Sequence, residues 1–229
     1  MGLQGLTGFR GGATGLAQHS SAEKFITATG GDTVATDGDY KVHTFTGPGN
    51  FSVSQLGSGT ADAPNTVQYL VIGGGGGGGS HIGGGGGAGG VVSNHPDYGP
   101  RKSPAPSGGL PAATNYPVTI GEGGAGVSDP GESGEKGGKG SITSLNGLSG
   151  GDIDAYGGGG GGSGYTAGTG GPATGSGGGD GHANNPTNPG SPATPISPGT
   201  QGYAGGASYN PHQRGGGGGG AAAVGSTGG

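Results

Sequence analysis

The residues best placed to do chemistry are few. Asp152 and Asp154 flank Ile153 and form the closest acidic pair. Such a pair could hold Ca²⁺ or supply paired carboxylates for acid–base work. Two carboxylates either side of one apolar residue are also ordinary in a solvated turn, and that is the better reading here. Six histidines, at 19, 43, 81, 95, 182 and 212, show no HxxxH spacing, and there is no cysteine to join them in a zinc set. Gly138-Lys139 is followed by Gly140 where a phosphate loop needs Ser or Thr, and Ser133 stands where that loop needs glycine. GxGxxG recurs through composition alone. No nucleophile sits in a recognisable pattern with a base. The expectation is a protein that is not an enzyme and uses no cofactor and no metal.

Tyrosine carries more information. Six of the eight tyrosines fall after residue 97, at 98, 116, 156, 165, 203 and 209, mostly beside glycine. Tyrosine on glycine-rich loops gives contact area at low entropic cost, which suits a recognition surface. Tyrosine covering the edge of glycine strands is an equal and compatible reading. Two inserts, 93–116 and 180–213, are the candidate recognition loops. Tyr98, Arg101, Lys102, Tyr116, Tyr203, Tyr209 and His212 are their candidate contact residues.

The elements that must position those loops are unusual. The chain has 71 glycines and 16 prolines in 229 residues. Without a strict period, that composition ordinarily signals low complexity. Large apolar residues concentrate before Gly73, so only that part can bury a conventional core. The net charge of −5 offers no basic stripe for nucleic acid. No run reaches the length of a membrane-spanning helix, and the first residues lack the form of a secretory signal.

Residues 1–22 read as an N-terminal arm in which Leu3, Leu6 and Leu16 could anchor to a partner. Residues 23–72 read as a small antiparallel β-domain. Its strands are expected at Lys24–Ala28, in a hairpin over 40–54 turning at Gly47-Pro48-Gly49-Asn50, and at Thr66–Ile72, the most apolar and hence central strand. A strand at 117–120 could rejoin this sheet after a Pro-rich insert over 91–116. Residues 73–229 read as a glycine-rich domain with exposed inserts. Gly73 to Gly79 follow directly on Tyr69-Leu70-Val71-Ile72, and prolines at 186, 189, 192, 195 and 198 keep a strict period of three. Polyproline II has three residues per turn, so those prolines would form one ridge. Glycine strands in that conformation can approach until backbone groups bond between neighbours, because no Cβ intervenes. The alternative is a flexible glycine linker. The fold expected is therefore all-β plus polyglycine II, with almost no α-helix.

The order Gly38-Asp39-Tyr40-Lys41-Val42-His43-Thr44-Phe45, Asn50-Phe51-Ser52-Val53, Tyr69-Leu70-Val71-Ile72-Gly73 and Gly84–Val92 resembles the glycine-rich domain of tailed-phage tail-fibre proteins. Tyr116–Gly124 and Gly140-Ser141-Ile142 continue that order. The glycine part is also similar to host-recognition adhesins at some phage fibre tips, which stack polyglycine-II layers beneath variable distal loops. The resemblance implies a virion protein assembled in the host cytoplasm, bound to other virion proteins through its arm or β-domain. It implies contact with a host surface glycan or protein, no membrane insertion, and a homo-oligomer such as a trimer. A shaft or decoration protein without a receptor is the alternative, and an ice-binding protein a more distant one. The end at Val224–Gly229 suggests a piece of a longer chain.

Overall fold

The computed structural model describes residues 25–62, 64–95, 108–127, 134–164, 175–181, 201–209 and 214–228. Within them the protein is all-β, its named strands pair antiparallel, and no helix occurs. Nine short strands run in order: β1 (Thr27–Thr29), β2 (Thr33–Asp37), β3 (Tyr40–Thr44), β4 (Gly49–Gln55), β5 (Leu70–Ile72), β6 (Val91–Ser93), β7 (Asn115–Thr119), β8 (Thr143–Leu145) and β9 (Ile153–Ala155). Five of them form one sheet in the order β1-β4-β7-β8-β9, while β2-β3 and β5-β6 are two-stranded pairs.

The strand expected after the Pro-rich insert is the middle member of the large sheet, with Phe51 opposite Tyr116 and Gly49 opposite Val118. Two local expectations need correction. The hairpin is not 40–54: β3 pairs back on β2 through the two-residue loop Gly38-Asp39, with Gly38 at φ 56°. That left-handed position suits a short hairpin loop better than the Gly-Pro-rich stretch does. β4 instead pairs with β1 and β7. Nor is the most apolar strand central. Among the described residues β5 pairs only with β6, and it buries Val71 while Leu70 and Ile72 face outward. Strand β6 itself lies at the start of the segment read as an insert.

The core is small and lies between the layers. Val71 and Val92 from the β5–β6 pair meet Ile153 and Ala155 of β9, with Val53 and Tyr116 beneath the rest of the sheet. Residues bury there because each strand alternates: β7 reads exposed-buried-exposed-buried-exposed, so Tyr116 and Val118 point inward. At β2–β3 neither face is covered. Val34, Tyr40 and Val42 stand 54%, 63% and 46% exposed.

Beyond the strands the chain runs on into glycine segments whose backbone groups bond to one another. Gly73, Gly76 and Gly79 donate to the carbonyls of Gly90, Gly87 and Gly84. Gly74, Gly77 and Ser80 donate to those of Ser141, Gly138 and Glu135. The Gly74 and Gly77 carbonyls accept from Gly158 and Gly161, and the Gly75 and Gly78 carbonyls accept from Gly124 and Val127. Each partner recurs at every third residue, where a pleated strand repeats at every second. One segment thereby bonds to four others, whereas a strand in a sheet has two hydrogen-bonded neighbours. The proline series at 186–198 lies outside the described residues.

Candidate functional site

The glycine segments leave the sheets in one direction and define a far end. Segment 73–80 extends β5, 121–127 extends β7, and 156–162 extends β9; segments 84–90 and 135–141 return into β6 and β8. Segment 175–180 runs parallel to 156–162, since Gly159 and Gly162 donate to the carbonyls of Ser176 and Gly179. Segments 203–207 and 214–220 close on it through Gly177, Asp180, Gly216 and Gly219.

Close approach explains why these segments are glycine. A Cβ on Gly76 would collide with the Gly159 carbonyl, one on Gly77 with the Ala125 carbonyl, and one on Gly79 with the Gly162 carbonyl. At Gly75 and Gly78 the nearest atom to an added Cβ is 3.8 Å away. Two of every three positions are thus closed by neighbouring backbone and the third is open.

Short polar residues stop the glycine runs at the far end. Ser80 follows Gly73–Gly79, Ser163 follows Gly157–Gly162, and Asp180 follows Gly177–Gly179. The Ser80 amide and hydroxyl both donate to the Glu135 carbonyl at 3.0 Å. The Ser163 hydroxyl donates to the Gly134 carbonyl. Asp180, only 1% exposed, accepts from the Ser208 hydroxyl at 3.1 Å. Sequence reasoning did not single out these residues, although a serine or aspartate directly after each run was the available signal.

The same end carries the strained turn of the chain. His81 and Ile82 reverse it between two glycine segments at φ 46° and 54°, and both are exposed. Left-handed backbone is uncommon without glycine and an outlier at a β-branched residue. Beside this turn, Ile82 and Gly83 offer their carbonyls where a Cβ on Gly215 would fall. Tyr209 is 44% exposed and its amide donates to the Arg214 carbonyl at 3.0 Å. His212 falls between these two bonded residues in sequence, outside the described residues.

The sequence-derived contact residues are not gathered into one site. Tyr209 stands at the far end, while Tyr203 sits half-buried nearer the sheets, its amide donating to the Ser176 hydroxyl at 3.3 Å. Tyr98, Arg101 and Lys102 lie outside the described residues, in a stretch that departs at His95 and re-enters at Gly108, both on the sheet side. Tyr116 is corrected outright. It is 1% exposed in the core, and its hydroxyl donates to the Ala112 carbonyl, so it offers no surface for contact. The alternation of β7 turns it inward, which a proline-bearing neighbourhood had obscured.

Asp152 and Asp154 serve their own turn and strand: Asp152 accepts from the Gly147 amide at 2.9 Å and Asp154 from the Ser144 hydroxyl at 2.6 Å. At the other side of the molecule Asp32 gathers the loop before β4. Its carboxylate accepts from the Thr46 amide and hydroxyl at 2.6 and 2.8 Å and from the Gly47 amide at 3.2 Å, which holds its pKa below the ordinary 3.8. Burial pushes the Tyr69 hydroxyl up to about 12.

No curated protein and no solved structure matches the chain. A family described as a glycine-rich domain matches residues 54–229, more than half of the sequence. The match takes in β5 to β9 and all of the mutually bonded glycine segments, and the chain belongs to this glycine-rich domain family.

Proposed function

We propose that this chain is a structural virion protein of the tail-fibre type, whose glycine segments pack as a polyglycine-II array and hold contact loops at the end away from the sheets. The observation that carries the reading is the three-residue recurrence of hydrogen bonds from one segment to four others. Polyproline-II geometry has that repeat and, in glycine, permits that approach. An array of this kind satisfies its backbone without helix or sheet. It suits a fibre tip because loops can vary while the framework holds. The resemblance of the strand-and-glycine order to tail-fibre domains supplies the biological setting.

The contact surface is proposed at the far end, with His81, Ile82, Tyr209 and Arg214. The ligand class is a host surface glycan or protein. Assembly with other virion proteins, or with further copies in a homo-oligomer, is assigned to the β-domain, where the β2–β3 pair exposes Tyr40 and Val42 on one face. Replacing His81 and Ile82 with glycine together with exchange of 209–214 for a glycine-serine loop should lower particle adsorption to host cells at least about tenfold. Unchanged adsorption by correctly assembled particles would reject the adhesin reading and leave a shaft protein.

A further inference from the structure

Segment 73–80 is enclosed on only part of its circumference. Its four bonded neighbours form a continuous arc, because 84–90 bonds to 156–162, 156–162 bonds to 135–141, and 135–141 bonds to 122–127. Among the described residues, no bond joins 84–90 to 122–127, and the side between them is open. Gly75 and Gly78 lie on that side, exposed, and among the described residues their amides donate to no acceptor. Exposed aliphatic residues stand before and after the segment. Leu70 and Ile72 face outward from β5 at 48% and 55% exposure, and Ile82, in the turn just past the segment, is 38% exposed. An unpaired row of backbone donors bordered by exposed aliphatic residues is the analogue of an open sheet edge.

The N-terminal residues have the pattern that such a vacancy fits. Gly2, Gly5, Gly8 and Gly11 recur at every third position. Leu3, Leu6 and Phe9 occupy the second register, and Gln4, Thr7 and Arg10 the third. In a three-residue-per-turn strand this makes one glycine ridge, one apolar ridge and one polar ridge. Ten residues in that form extend about 30 Å, against about 25 Å for segment 73–80. Described chain begins at Phe25, and the 13 residues from 12 to 24 reach about 40 Å when extended.

We propose that residues 2–11 of the same chain lie along the open side of segment 73–80 as a further polyglycine-II strand. The glycine ridge lets its carbonyls reach the Gly75 and Gly78 amides. Its apolar ridge covers Ile72 and Ile82, and its polar ridge faces water. The tether makes docking within one chain an intramolecular event, which sets a high effective concentration. The proposal rests on the polyglycine-II reading of the segments and is independent of what the far end contacts.

Site-resolved amide exchange on the intact chain tests it, against a chain lacking residues 2–11 and against Gly5→Val/Gly8→Val, which keeps the apolar ridge but blocks close approach. In the intact chain Gly75 and Gly78 should exchange at least about tenfold more slowly than in either variant, while Gly76 and Gly77 stay protected in all three. The protection should not change on dilution. Free exchange of Gly75 and Gly78 in the intact chain overturns the proposal whatever the variants do. Protection that falls on dilution also overturns it, in favour of an arm from a second copy. Free exchange of Gly76 and Gly77 in the intact chain would remove the polyglycine-II reading with it.

Discussion

A missing Cβ is the decisive feature at the scale of single residues. Gly77→Ala forces a methyl against the Ala125 carbonyl, and the backbone on one side must move. Overpacking of this kind costs roughly 3 kcal/mol, to be read as a lowered denaturation midpoint. Gly126→Ala meets nothing within 4 Å and is not at positive φ, so it should be neutral or stabilise by about 0.5 kcal/mol through the unfolded state. Ile82→Gly should stabilise by about 1 kcal/mol, because it releases left-handed strain at a β-branched residue. Asp32 sets an acid limit for its loop. Its carboxyl titrates below 3.8 in the fold, so its anchoring is complete above that pH and is lost as pH falls through the lower folded value. The Thr46 amide shift should follow that loss in the native protein and should be missing in Asp32→Asn. At the alkaline end Tyr69 ionises at about 12 instead of 10, so its burial favours the fold fully below pH 10 and less as pH rises toward 12.

Elements here differ in how they are secured. The five-stranded sheet buries Tyr116, Val118 and Ile153, while β2–β3 has both faces in water apart from half-buried His43. His43 is its tether, with its ring against Phe51 at 5.2 Å and Nδ1 within 2.8 Å of the Gly30 carbonyl. A two-stranded ribbon alone is marginal in water. Bonded amides of β2–β3 should therefore exchange well before those shared by β4 and β7, and His43→Ala should widen the gap. Equal exchange would mean that the ribbon is covered. The strands were partly legible beforehand: alternation located β3 and β4, and a strand was expected at 117–120, overlapping β7, without its inward face being recognised. Pairing was not, because β3 could face either neighbour, and the choice depended on the Gly38-Asp39 loop and on β7 arriving from 60 residues downstream to claim β4.

For the whole molecule the glycine segments decide the architecture. Their cohesion comes from backbone bonds in several directions, with little apolar area to bury. Such an array is expected to depend on many weakly coupled bonds, each worth about 1 kcal/mol net. Single closed-position substitutions in two neighbouring segments, such as Gly76→Ala with Gly158→Ala, share partners through Gly87 and Gly159 and should not add. A double-mutant cycle on denaturation free energy measures that coupling; strict additivity would mean that each segment is held independently. The contact surface proposed for the far end belongs to this scale as well, since Ile82 and Tyr209 lie 127 residues apart in sequence, with Arg214 beyond them.

Composition pointed to a conventional core before Gly73 alone, and the structure corrects this: Val92, Leu110, Tyr116, Leu148, Ile153 and Ala155 join Val53, Tyr69 and Val71 in it, because short strands between the glycine runs bring their few apolar residues back to one place. A serine or aspartate directly after each run, Ser80, Ser163 and Asp180, was present in the sequence, but only the bonded array showed that the segments end there. Which glycine faces which was undetermined, because identical residues carry no address. Only the tertiary structure assigned Gly76 to Gly87 and Gly77 to Gly138, and it did so through the strands that feed each run. The same cause removed Tyr116 from the candidate contacts: its ring was claimed by a core whose other half, Ile153 and Ala155, lies far along the chain. Local spacing sets what a segment can do; the partner that satisfies it is set by packing between segments distant in sequence.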